Sequence, residues 1–123
     1  MATIKSFTDL PQSKELMRIL SLESADMHYL SDQYNPIETH LGFSNKLYKE
    51  YLRDKWDYIP CWSLAALLSV IPQAYLDSIK QYDKKYWRCC AYFASDWHHS
   101  DWCDNPIDAC YEMIIKLHEL KKL

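Results

Sequence analysis

A chain of 123 residues with 49% apolar and 25% charged side chains has the length and balance of one folded domain, which excludes a disordered tail and a collagen-like repeat. Its one glycine, Gly42, leaves nothing from which to build a P-loop or a dinucleotide-binding turn. Fourteen basic against seventeen acidic residues give a formal net charge of −3, so no whole-molecule field gathers duplex nucleic acid.

The first expected helix covers residues 11–20, with Thr8 or Asp9 as cap, Pro11 at an early position, and Leu16, Ile19 and Leu20 forming an apolar stripe with Leu10. Residues 25–30 read as a short strand with Met27 and Tyr29 on one side. Between 31 and 58, Asn35-Pro36 and Gly42 mark loops, while residues 45–56 fit either a long loop or a short capped helix carrying Leu47, Tyr48, Tyr51 and Leu52 on one face. Residues 62–71 place Leu64, Leu67, Leu68 and Ile71 at helical spacing, and Pro72 ends that helix. This segment is apolar nearly all round and is expected to be central. The uncharged stretch around it, between Asp57 and Asp77, nears the length that spans a bilayer, but Pro60, Pro72, Ser63, Ser69 and Gln73 interrupt it, so a buried helix explains it better.

Residues 73–85 fit either a helix or the first arm of a hairpin. Residues 86–93 alternate as a strand, with Trp87, Cys89, Ala91 and Phe93 on the expected core face and Tyr86, Arg88, Cys90 and Tyr92 on the other. The last helix is the best specified. Asn105 caps it, Pro106 opens it, Asp108 sits in its first turn, and Lys116, Lys121 and Lys122 lie near its end. Ile107, Cys110, Ile114 and Leu117 form its buried stripe, and Glu112 with Lys116 an exposed pair.

Five cysteines are an odd number, and the charges among the first twenty residues leave no continuous apolar run for export. They read as thiols of a reducing cytoplasm. Cys89 and Cys90, adjacent in a strand, point to opposite faces and make a poor chelating pair.

Three segments carry a likeness: Ser24-Ala25-Asp26-Met27, Ile59-Pro60-Cys61-Trp62-Ser63-Leu64-Ala65-Ala66-Leu67-Leu68, and Asn105-Pro106-Ile107-Asp108-Ala109-Cys110. Together they resemble a group of short uncharacterised proteins carried by phages and mobile elements of gut bacteria. The resemblance implies an origin and no activity, and it leaves out Asp96-Trp97-His98-His99-Ser100-Asp101-Trp102.

That segment opens the densest run of reactive side chains. Asp96, Asp101, Asp104, Asp108 and Glu112 fall between Arg88 and Lys116 with no basic residue among them, and His98, His99 and Cys103 lie in the same stretch. A zinc site could draw on a histidine, Cys103 and Cys89 or Cys90, yet the spacing lacks paired knuckles. The plainer reading is a polar loop tipped with Trp97 and Trp102. Cys61 precedes the central helix, where the dipole could activate a thiol, against which stands its place in an apolar run suited to a core. Residues 80–88 mix cations with aromatics as single-strand binders do, but the patch is small. Fifteen tyrosines and tryptophans exceed what a core this size hides, so an aromatic surface is expected, suited to a protein partner or a second copy.

The reading is therefore a single α+β domain over residues 1–123, in which helices 62–71 and 105–120 cover one face of a small antiparallel sheet and leave the other partly open. The expected function is a cytoplasmic protein-interaction module of phage or mobile-element origin, without catalysis, cofactor or membrane, binding a host or phage protein. Its expected interface is Trp97, His98, His99, Trp102, Tyr92 and Tyr86. The rivals are a metal-dependent or thiol enzyme using His98, His99, Cys103 and Cys61, and a small-molecule or nucleotide binder with an aromatic pocket.

Overall fold

A computed structural model describes residues 5–32, 35–43, 56–121 and 123. In chain order, α1 (Leu10–Leu16) and a single 3-10 turn (Leu22–Ser24) lead into β1 (Met27–Asp32), β2 (Asn35–Phe43) and β3 (Trp56–Cys61). Helix α2 (Leu64–Val70), strands β4 (Tyr75–Gln81), β5 (Lys84–Phe93) and β6 (Asp96–His99), and helix α3 (Pro106–Glu119) complete the chain. The strands make two antiparallel three-stranded sheets, ordered β2-β1-β3 and β4-β5-β6. The fold is α+β, as the patterning predicts.

Helix α3 packs on β5 and on α2. Asn105 caps it by accepting the Asp108 N–H at 2.8 Å, and Pro106 fills the first turn, where its missing donor costs nothing. Ile107, Cys110, Ile114 and Leu117 are fully buried as the stripe predicts, joined by Ala109 and Met113. They face β5, whose inward side presents Cys89 and Ala91, both fully buried, and the half-buried Trp87. Small residues on both elements let helix and strand approach closely. Lys116 turns to the His99 carbonyl at 3.0 Å.

Helix α2 is shorter than expected and less central. It starts at Leu64 because Ser63 is its cap, accepting the Ala66 N–H, while Asp26 takes both the backbone N–H and the hydroxyl of Ser63. Ala65 and Ser69 are exposed, so the helix is amphipathic and not apolar all round. Ile71 adopts an extended conformation before Pro72, as the pre-proline clash requires. Trp62 lies just outside the helix, fully buried, its indole N–H donating to Ser24 Oγ at 3.0 Å.

Two expectations about the first half are corrected. Asn35, Pro36 and Gly42 lie on β2 and not in loops; β2 is an edge strand, where a proline near the start removes no interior ladder bond. Strand β3 is the opposite edge and accommodates Pro60 for the same reason. Of the helix expected over 45–56, residues 45–55 lie outside the described residues and Trp56 belongs to β3. Helix α1 ends at Leu16 instead of residue 20, with a reciprocal capping box: Gln12 N–H donates to Asp9 Oδ1 at 2.8 Å and Asp9 N–H to Gln12 Oε1 at 3.2 Å. The ambiguous residues 73–85 form the approach to β4, β4 itself, the Tyr82-Asp83 turn and the first two residues of β5, so the hairpin alternative holds.

The N-terminal segment is stitched to both layers. Thr8 exchanges backbone and side-chain hydrogen bonds with Trp62, from Thr8 N–H to the Trp62 carbonyl at 2.9 Å and from Trp62 N–H to Thr8 Oγ1 at 3.1 Å. The Tyr29 hydroxyl donates to the Thr8 carbonyl at 2.8 Å. Lys5 bridges Asp9 at 2.7 Å and Asp108 at 3.0 Å. Among the described residues no helix is long and apolar enough to cross a membrane.

Burial pushes the Asp108 carboxyl up, but hydrogen bonds from Gln12, Lys5 and Asn105 outweigh it and hold the group below its ordinary value of 3.8. Because the folded value lies below the unfolded one, the stabilisation is complete above pH 3.8 and is lost as pH falls through the folded value. Asp108→Asn is expected to lower the melting temperature at pH 7 and to flatten its decline as pH falls below about 4. Thermal unfolding monitored by circular dichroism across that range checks both.

Candidate functional site

Helix α3 on one side of the β4-β5-β6 sheet leaves its other side outward. In an antiparallel ladder, residues directly opposite each other share a face. The registers Tyr75↔Cys90, Asp77↔Arg88, Ile79↔Tyr86, Tyr92↔Trp97 and Cys90↔His99 therefore collect these residues on the outer face. The hairpins that create this arrangement turn on Tyr82-Asp83 and Ala94-Ser95, all four at positive φ between 52° and 64°. Paired left-handed residues give the primed turn that matches strand twist, here without glycine or asparagine.

The rings form a contiguous group. Trp97 packs on Tyr92 with centroids 4.9 Å apart, and on Tyr75 edge-to-face at 5.6 Å. Trp97 stays 56% exposed and Tyr75 49%, with Ile79 also exposed on the same face. Trp102 is exposed and lies under the Arg88 guanidinium, 4.7 Å from the ring centroid. The charges on this face are compensated. Arg88 donates to Asp77 at 3.2 Å, and Lys84 bridges Asp104 at 3.2 Å while lying over the Tyr86 ring. Hydrogen bonding and attraction from Asp104 raise the Lys84 ammonium above its ordinary range.

Of the six residues expected at the interface, Tyr86, Tyr92, Trp97 and His99 share the outer face by register, and Trp102 joins them through Arg88. His98 does not: it stands opposite Ala91 on the helix-facing side. Strand alternation makes this unavoidable, because adjacent residues on β6 point to opposite faces. Tyr75 and Ile79 belong to the face and were missed by reasoning from sequence. Their four-residue spacing suits a helix face as well as a strand face, so only the decision for a strand could have found them.

The same alternation separates the reactive side chains. His99 lies beside Cys90, while Cys103 stands opposite Trp87 on the inner side. Among the described residues no group of three or more histidines, cysteines or acids is placed to hold a metal ion. Burial, and then Glu112, pushes the Cys103 thiol up to about 12. Cys61 belongs to β3 and is fully buried; burial raises it despite bonds from Thr8, Tyr29 and Ser13. It does not sit at an activating helix terminus. Two acids of the run are engaged within the protein: Asp108 receives Lys5 and Gln12 from the N-terminal segment, and Asp104 receives Lys84 from β5. A groove of about 410 Å³ beside α3, lined by His99, Asp101, Tyr111, Glu112 and Lys116, borders the face.

Comparison with protein-family models, with curated proteins and with solved structures finds no match to this chain.

The buried, raised Cys61 is expected to react with a soluble thiol reagent roughly a hundredfold or more slowly in the folded chain at pH 7 than after unfolding in guanidinium. Mass-mapped alkylation time courses measure this, and fast labelling of Cys61 in the native chain would return it to consideration as a nucleophile.

Proposed function

We propose that this chain is a small cytoplasmic protein-interaction module of phage or mobile-element origin, acting without catalysis, and that its outer sheet face binds a host or phage protein. The observation that carries the proposal is the exposed group Tyr75, Trp97 and Trp102 on a face whose cations, Arg88 and Lys84, are already matched to Asp77 and Asp104. Tryptophan, tyrosine and arginine dominate the energetics of protein interfaces, and compensated charges reduce what desolvation costs there. A nucleic-acid platform also uses stacked rings, but it needs cations directed at phosphates. Here the face spends Arg88 and Lys84 internally. The origin rests on the resemblance of the segments around Asp26, 59–68 and 105–110.

The test is quantitative affinity capture from the native host during phage infection, comparing the wild-type chain with Trp97→Ala/Trp102→Ala and with Glu119→Ala on the exposed part of α3. The expected result is a specific protein retained by the wild type and by Glu119→Ala, and depleted about tenfold or more by the double variant, whose circular dichroism is unchanged. An identical set of proteins on all three would contradict the assignment of the face.

A further inference from the structure

The two edges of the β4-β5-β6 sheet are finished differently. Strand β6 has only four residues, and the His99 carbonyl is taken by the Lys116 ammonium at 3.0 Å. Strand β4 has seven residues, no proline and an unbroken register with β5. Short length and covering lysines are how proteins blunt a sheet edge. Strand β4 is the longer edge, and its only lysine, Lys80, lies next to its last residue, leaving Leu76 and Ser78 uncovered among the described residues.

The hydrogen bonds fix which groups β4 presents. Trp87 and Cys103 exchange both N–H···O bonds, at 2.8 and 2.7 Å, and Ser100 N–H donates to the Cys89 carbonyl at 2.9 Å, so odd-numbered β5 residues bond toward β6. Even-numbered ones bond toward β4, in keeping with Tyr92 N–H donating to the Pro72 carbonyl at 3.3 Å. Their partners Tyr75, Asp77, Ile79 and Gln81 thus bond inward. Leu76, Ser78 and Lys80 direct N–H and C=O outward, where no described residue pairs with them. Ser78, Ile79 and Lys80 are exposed.

We propose that β4 pairs antiparallel with β4 of a second copy of this chain, about a twofold axis at Ser78, joining two three-stranded sheets into one continuous sheet. The edge is self-complementary in that register. Sheet continuity requires residues of the same parity to oppose each other, which limits where the axis can fall. An axis at Asp77 or at Lys80 sets like charges face to face. An axis at Ile79 sends Leu76 opposite Tyr82, whose positive φ takes it out of the strand. At Ser78 the whole strand overlaps: Tyr75 faces Gln81, Leu76 faces Lys80 and Asp77 faces Ile79, with no like charges opposed. Leu76, Ser78 and Lys80 then form about six backbone hydrogen bonds across the axis. The pairing leaves the aromatic outer faces open, so it goes beyond the proposed partner-binding role and does not depend on it.

Analytical ultracentrifugation of the full chain at tens of micromolar tests the proposal, with circular dichroism confirming that each variant folds. The wild type is expected at twice the 14.7 kDa chain mass. Ser78→Lys sets two ammonium groups together at the axis and is expected to weaken the dimer by about tenfold or more, with added salt restoring part of the loss. Ser78→Pro removes only an outward N–H, which an edge strand tolerates, and is expected to have the same effect. Trp97→Ala is expected to leave the dimer intact. A wild type that sediments as a single chain overturns the proposal, as does a dimer that withstands both Ser78 variants or is lost with Trp97.

Discussion

The packing of α3 against the inner face of β5 is the contact on which the other features rest. Ile107, Met113, Ile114 and Leu117 are fully buried, and each such side chain removed from water contributes about 1.5 to 3 kcal/mol. Because β5 is the middle strand of its sheet, holding its inward side against the helix sets the orientation of every residue on it. The outward set Tyr86, Arg88, Cys90 and Tyr92 is a consequence of where Cys89 and Ala91 go. Hairpin partners then add Tyr75 and Ile79 from one side and Trp97 from the other. The face is therefore a product of core packing, with no separate device needed to build it.

Around that contact the polar residues act as fasteners. Asp108 joins the first turn of α3 to Lys5 and Gln12, and Asp26 anchors the start of α2 through Ser63. Thr8 links the N-terminal segment to Trp62 and Tyr29. Several side chains that suggest chemistry are accounted for in this way. Cys61 fills a buried hydrogen-bonded niche beside Thr8, and Cys89 and Cys110 occupy the helix–sheet contact as small apolar groups. What the packing leaves outward is aromatic, with its nearby charges paired on the protein itself.

Helix α3 was legible because cap, proline, stripe and terminal charges agreed along fourteen residues, and β5 because its alternation ran the length of the strand. The hairpins were not. Each turns on two residues that lack the expected Asn-Gly chemistry, Tyr82-Asp83 and Ala94-Ser95, so the sequence carries only the weak turn preference of Asp83 and Ser95 there. Residues 73–85 are ambiguous in sequence for that reason, and Tyr75 and Ile79 with them. The overreach at α2 has a different source. Trp62 and Ile71 share the apolar character of the helix, but Ser63 and Pro72 limit it, and hydrophobic spacing alone does not show where a cap takes hold. Asn35-Pro36 and Gly42 read as loop markers because sequence does not distinguish an edge strand, which tolerates them, from a central one. At the site, five of six residues were placed on or against one face. His98 is not among them, because strand geometry sends sequence neighbours to opposite faces.

One division of the aromatic residues underlies both core and face: Trp62 is sealed in the core, and Trp97, Trp102 and Tyr75 are exposed. Hydroxyl-radical footprinting of the native chain, read residue by residue by mass spectrometry, tests this directly. Rapid oxidation of Trp97, Trp102 and Tyr75 beside protection of Trp62 and Met113 is the predicted result. Protection of Trp97 equal to that of Trp62 would contradict the placement of the face.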